Sequence, residues 1–176
     1  MSHRPRYLPD RAFPAYAFVP GRFPHPVTDP RGHSHGIDRP APDPLAAQSW
    51  PSNHDYLWGV DLYNHGYPWE AHEAWEGLWR VAERGSPIHI HLQGLIQCAA
   101  AVVKARAEQP AGVASLASSA MDYLERVVQT AGSPHMGVDL TSFMTHFRAY
   151  TRAQPFHSEN WPIIWLSGVD VPTVAD

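Results

Sequence analysis

The sequence predicts an all-α fold, a small helical bundle of about five helices with an extended Pro-rich N-terminal arm packed on it. Three observations carry this reading. From residue 52 onward, apolar residues recur at helical rather than alternating spacing. Gly66, Pro68, Gly85, Pro87, Pro110 and Gly132 punctuate that region where helices would stop and start. Residues 1–51, by contrast, hold eleven of the eighteen prolines, which excludes regular helix and argues against sheet. The chain thus divides into an arm, 1–51, and a helical domain, 52–176. At 176 residues it is long enough to bury a core without disulfides.

The arm carries Tyr7, Phe13, Tyr16, Phe18, Phe23 and Trp50, too many rings for a flexible linker. It is expected to dock through them, on its own domain or on a partner subunit in a homo-oligomer. Charge favours this modestly: residues 1–51 have six Arg and four Asp, the remainder seven basic and thirteen acidic groups. The net charge of −4 argues against a general nucleic-acid surface, so no nucleic-acid partner is expected.

The first helix is expected to begin near Ser52, with Ser52 as cap and Asp55 three residues on, and to end at Gly66. The second runs from Pro68 to about Arg84. The third opens at Ser86-Pro87 and continues for about twenty residues; it is apolar nearly all round, as the most buried helix would be. Residues 111–131 and 139–153 form the fourth and fifth, each with one apolar stripe. The apolar tail Trp161–Leu166 should pack on the bundle. The stretch Gly85–Val103 lacks Asp, Glu, Lys and Arg, but His89, His91, Gln93 and Gln97 make it too polar for a lipid-facing span. No secretory signal follows the charged N-terminus, and Cys98 has no partner for a disulfide, so the expected compartment is cytoplasmic.

Two rows of polar residues stand out. On the second helix His72, Glu76, Trp79 and Glu83 share a face, with Glu73 at its edge and Trp69 and Trp75 beside it. On the third, His89, Gln93 and Gln97 follow at i, i+4 and i+8. A short turn makes the helices antiparallel neighbours, so the rows are expected to meet inside the aromatic core. A buried carboxylate must be compensated, by a closed hydrogen-bond network or by a metal. Imidazole with carboxylates suits Zn, Mn, Fe or Ni. A Glu stands where the second His of HExxH belongs, which argues against zincin-type proteolysis.

The arm adds His25, Asp29, His33 and His35 within eleven residues, held by prolines and glycines. Such a loop can converge on one point, or its histidines can simply cap turns and stack on rings. His54, His65, His135, His146 and His157 are scattered and expected at the surface or in packing.

The segments Leu62-Tyr63-Asn64-His65-Gly66, Glu70-Ala71-His72-Glu73-Ala74-Trp75-Glu76-Gly77-Leu78-Trp79 and Leu92-Gln93-Gly94-Leu95-Ile96-Gln97 resemble, in order, the motifs of the DUF309 family. The arm's Pro24-His25-Pro26-Val27-Thr28-Asp29-Pro30-Arg31-Gly32-His33-Ser34 is similar to a bacterial subset of it. His65 departs from the charged or small residue of many members. The resemblance implies a small all-helical fold and the activity label of a metal-dependent hydrolase. The functional residues it implies are His72, Glu73 and Glu76, supported by Gln93 and Gln97; His25 and His33 follow from the subset.

The expectation is a metal-binding helical protein, in its fullest form a hydrolase. Its ligands would be His25, His33, His72 and Glu76, its general base Glu73, and its supporting shell Asp29, His35, His89, Gln93, Gln97, Trp69 and Trp79. The cofactor would be one divalent metal, and the substrate a small molecule of unassigned class. The rival from another class is a non-catalytic module whose His/Glu/Gln cluster only fixes helix packing. A third reading is a small-molecule pocket between arm and bundle, lined by Trp69, Trp75 and Tyr63.

Overall fold

The computed structural model describes residues 4–38, 40–153, 156 and 160–172; His157 lies outside them. Five α-helices follow in order, α1 (His54–Asn64), α2 (Pro68–Val81), α3 (Pro87–Arg106), α4 (Pro110–Ala131) and α5 (Leu140–Arg152), and no strand is present among the described residues. Each helix packs on the next in sequence, so α3 lies between α2 and α4 and is buried along most of its length. No helix among the described residues is long and apolar enough to cross a membrane.

The helix ends follow the punctuation, with one shift. Asn53, not Ser52, caps α1: its side chain accepts the Tyr56 N–H at 2.8 Å, while Ser52 closes a preceding 3-10 turn. Both residues can cap, but Pro51 places Ser52 inside that turn. Ser86 caps α3 as expected, accepting the His89 N–H at 3.2 Å. The helix α2 ends at Val81, three residues before Arg84.

The buried row of α2 is Ala71, Trp75 and Leu78, all fully buried, at i, i+4 and i+7. This corrects the expectation that His72, Glu76 and Trp79 face the core. Those three lie one residue, about 100°, further round and are only half-buried. The apolar row wins because interring an indole is favourable whereas interring a carboxylate is not. Trp75 lies flat on α1 at Gly59, where a Cβ would come within 2.2 Å of the indole nitrogen. That nitrogen donates to the Tyr56 carbonyl at 3.4 Å.

Helix α1 also anchors both chain ends through buried polar residues. The Asp61 carboxylate accepts the Tyr7 and Leu8 N–H groups, both at 2.8 Å, with the Arg6 guanidinium 3.8 Å away. One turn on, the Asn64 amide donates to the Ile164 carbonyl and accepts the Ile164 N–H, each at 2.8 Å. The Tyr7 hydroxyl in turn accepts the Leu166 N–H at 2.7 Å, joining arm to tail. The arm therefore packs on helices of its own chain, burying Tyr7, Phe18, Val19 and Leu45.

Candidate functional site

The half-exposed face of α2 gathers one cluster of ligand-type side chains. His72, Glu73 and Glu76 each bring one donor atom within 4.8 Å of the other two, and no other such trio occurs among the described residues. The spacing has a simple origin: residues i, i+1 and i+4 of a helix share a sector about 100° wide. Side-chain exposures are 28% for His72, 36% for Glu73 and 25% for Glu76, so solvent reaches the cluster from one side. The His72 Nδ1 is itself sealed from water and hydrogen-bonded to nothing among the described residues. Glu73 Oε1 stands 3.4 Å from it, close enough to attract but not aligned to bond. Glu76 Oε1 accepts from Arg80 at 2.8 Å, one turn along the helix, where the Arg80 side chain is largely exposed.

The α3 row runs beside this cluster without closing over it. His89 packs on Trp79 in a tilted pair, with ring centroids 5.0 Å apart. His89, Gln93 and Gln97 form the half-buried edge of α3, and neither glutamine hydrogen-bonds His72 or Glu76 among the described residues. The expected closed network inside the core is therefore absent, and the two rows border a surface seam. Trp79 contributes a ring to that seam; its indole N–H is buried with no acceptor among the described residues.

The arm histidines go elsewhere. His25 packs its ring on Trp69 and Phe18 at 5.4 and 5.2 Å and caps a turn through Nδ1, which accepts the Val27 and Thr28 N–H groups at 3.3 Å. His35 Nδ1 donates to the Val27 carbonyl at 3.0 Å. Asp29 holds Arg31 through two side-chain bonds at 3.1 and 3.0 Å, which draw its carboxyl down to about 2. His33 reaches α2, but at Glu70 rather than His72: its Nε2 lies 3.1 Å from Glu70 Oε1. Gly32 makes this possible, since a Cβ there would stand 2.3 Å from the Pro26 carbonyl oxygen across the loop. Thus the arm meets α2 as expected, through a different carboxylate from the one expected.

Glu70 is the residue that sequence reasoning missed. It is 5% exposed, and its Oε1 also accepts the Phe18 N–H at 2.9 Å. Its Oε2 is buried with no partner among the described residues. The signal was present, because Glu70 opens the Glu-Ala-His-Glu run. Between the arm and α2 lies a cavity of about 800 Å³, lined by His33, Trp69 and Glu70 together with Glu73 and Glu76 of the cluster. Trp75 and Tyr63 lie in the core and do not line it, whereas Trp69 does.

A second buried polar group lies across the bundle. The Tyr56 hydroxyl donates to the Met136 carbonyl at 2.9 Å and so accepts from His91 Nε2 at 3.3 Å. His91 Nδ1 then faces His135 Nδ1 at 3.0 Å. Burial holds both imidazoles below their ordinary value, His91 well below, helped by the neighbouring His135. An unfolded chain takes up protons below about pH 6.5 that the folded chain refuses. Stability present at neutral pH is thus lost as pH falls from 6.5 toward the folded values, by up to about 1.4 kcal/mol per pH unit for the fully buried His91 and by less for the partly exposed His135. The Asp61 carboxyl, pushed up by burial, works with opposite sign from 3.8 to its folded value. The comparison that isolates the imidazoles is therefore between variants. Thermal melting should drop between pH 7.5 and 5.5, and His91→Gln should show a shallower slope over that window.

Fold and site together define a class: an all-helical domain with a His/Glu cluster on its second helix and an arm folded across that helix. Residues 56–116 match the family model described as "Domain of unknown function (DUF309)". The match spans α1 to the start of α4, including Glu70, His72, Glu73, Glu76, Gln93 and Gln97, and leaves the arm outside. No curated protein matches the chain.

Proposed function

We propose that this protein binds one divalent metal ion through His72, Glu73 and Glu76. The observation that carries the reading is a His72 whose Nδ1 is sealed and has no hydrogen-bond partner among the described residues, in a trio with Glu73 and Glu76 whose ligand atoms lie within 4.8 Å of one another. Two ligands at bonds of about 2.1 Å to one ion stand roughly 3–4 Å apart, so a limit of 4.8 Å needs only small side-chain rotations. Both carboxylates line the arm-covered cavity, which gives the ion a chamber on one side. Arg80 is the competitor for Glu76, but an exposed ion pair contributes at most about 1 kcal/mol and yields readily.

In this reading Glu73 acts as a ligand rather than as a general base, since its oxygen belongs to the trio. His25, Asp29 and His35 shape the arm, and His33 fastens it to Glu70. An ion held by three protein ligands keeps positions for water and lowers its pKa, the chemistry a hydrolase needs. Imidazole with two carboxylates fits Zn, Mn, Fe or Ni.

Elemental analysis of untagged protein reconstituted with Zn²⁺ or Mn²⁺ at neutral pH tests the proposal. One equivalent is expected in the parent chain, and well under a tenth of that in His72→Ala at the same free metal. Less than stoichiometric metal in the parent, or equal metal in the variant, overturns it. A packing role alone is favoured only for the Glu70–His33 pair, which visibly fastens the arm.

A further inference from the structure

We propose that the His91–His135 pair is a proton-operated latch. It holds the turn between α4 and α5, and with it the chain at Leu166 and Ser167, and releases both when the pair takes up two protons. Several segments meet at this turn. The Met136 carbonyl accepts from Tyr56 of α1, and the Gly137 carbonyl accepts the Ser167 N–H at 2.8 Å and its hydroxyl at 3.1 Å. Val138 pairs with Leu166, whose N–H goes to the Tyr7 hydroxyl of the arm.

The turn is held against its own backbone preference. Met136 has a φ of 46°, in the left-handed region that residues with a Cβ rarely occupy. Gly137 follows at 76°, packed so closely that a Cβ would stand 2.3 Å from the Trp50 ring. Two side-chain bonds hold the turn to α1 and α3: Tyr56 to the Met136 carbonyl, and His135 to His91.

Counting hydrogens shows how the second bond fails. Tyr56 directs its one hydroxyl hydrogen to Met136, so His91 Nε2 carries a proton and His91 Nδ1 does not. His135 Nδ1 therefore supplies the single hydrogen between the rings. A first added proton can sit on His135 Nε2 and leave that bond intact. A second has only His91 Nδ1, where two N–H groups would oppose each other beside a fully buried ring. Among the described residues no carboxylate or cation bonds to either ring. Tyr56 is the titratable neighbour on α1, and Asp139 on the turn accepts instead from the Ser142 N–H. Opening the turn hydrates both Nδ1 atoms and restores ordinary proton affinity, so acid favours the open form. The latch lies across the bundle from His72 and works with or without an ion there.

Amide hydrogen exchange on the full chain, followed by NMR at pH 7.5 and 5.5 and corrected for intrinsic rates, reads opening residue by residue. Protection of the Val138 and Ser167 N–H groups should fall more than tenfold over that interval. The ceiling is about a hundredfold, tenfold for each ring that gains a proton. At pH 5.5, Leu95 and Val102 of α3 should remain at least tenfold better protected than the turn. His135→Gln, whose amide can still donate to His91 Nδ1, should limit the fall to about tenfold or less. His91→Gln, the second variant, should flatten it likewise. A fall below threefold in the parent, an equal fall in both variants, or α3 amides no better protected than the turn overturns the inference.

Discussion

Replacing Trp75 with alanine is expected to cost about 3–5 kcal/mol, the largest loss of any single side chain on α2. Trp75 is fully buried, stacks on Gly59 of α1 and closes its own N–H on the Tyr56 carbonyl. Its removal leaves a cavity at the α1–α2 contact that rigid helices cannot refill. Trp79→Ala should cost less than about 2 kcal/mol, because that ring is half-exposed and its N–H is buried with no acceptor among the described residues. Urea unfolding of both variants measures the difference. Equal losses would contradict the assignment of Ala71, Trp75 and Leu78 as the core row.

Asp61→Ala is expected to destabilise by roughly 3 kcal/mol and to free the start of the arm. Removing the carboxylate strands the Tyr7 and Leu8 N–H groups at a buried contact and takes away the counter-charge of Arg6. Each bond to a charged acceptor contributes about 1.5–3 kcal/mol, and the two are not additive because they share one residue. Limited proteolysis gives the second readout, with new cleavage near Arg6 and Arg11 in the variant while the helical domain stays intact. A stability loss below about 1 kcal/mol with unchanged cleavage would show that the arm is held chiefly by its rings.

The fold was legible where a physical rule acts locally. Glycine and proline mark helix ends whatever surrounds them, so α1 to α5 fall close to their expected bounds. Facing was harder to read. On α2, Trp69, Trp75 and Trp79 fall within one sector about 120° wide, and packing on Gly59 decides which indole enters the core. The one-residue offset that follows turned the expected buried His/Glu network into a half-exposed trio. The arm posed the opposite difficulty. Its histidine spacing suggested convergence on a metal, but short loops satisfy imidazoles locally, as His25 and His35 do with Val27. The contact between His33 and Glu70, 37 residues apart, depends on how the arm crosses α2, which no local pattern encodes. The same holds for Asp61 and Asn64: two polar residues three apart among the buried residues of α1 signal buried partners without naming them.

The most direct measurement of the central claim is a crystal of untagged protein grown with Zn²⁺, with anomalous data collected on either side of the metal edge. A single strong peak is predicted beside α2, about 2.0–2.2 Å from a His72 ring nitrogen and from carboxylate oxygens of Glu73 and Glu76. A peak among His25, His33 and His35 with none at His72 would contradict the account, as would no ordered metal at all.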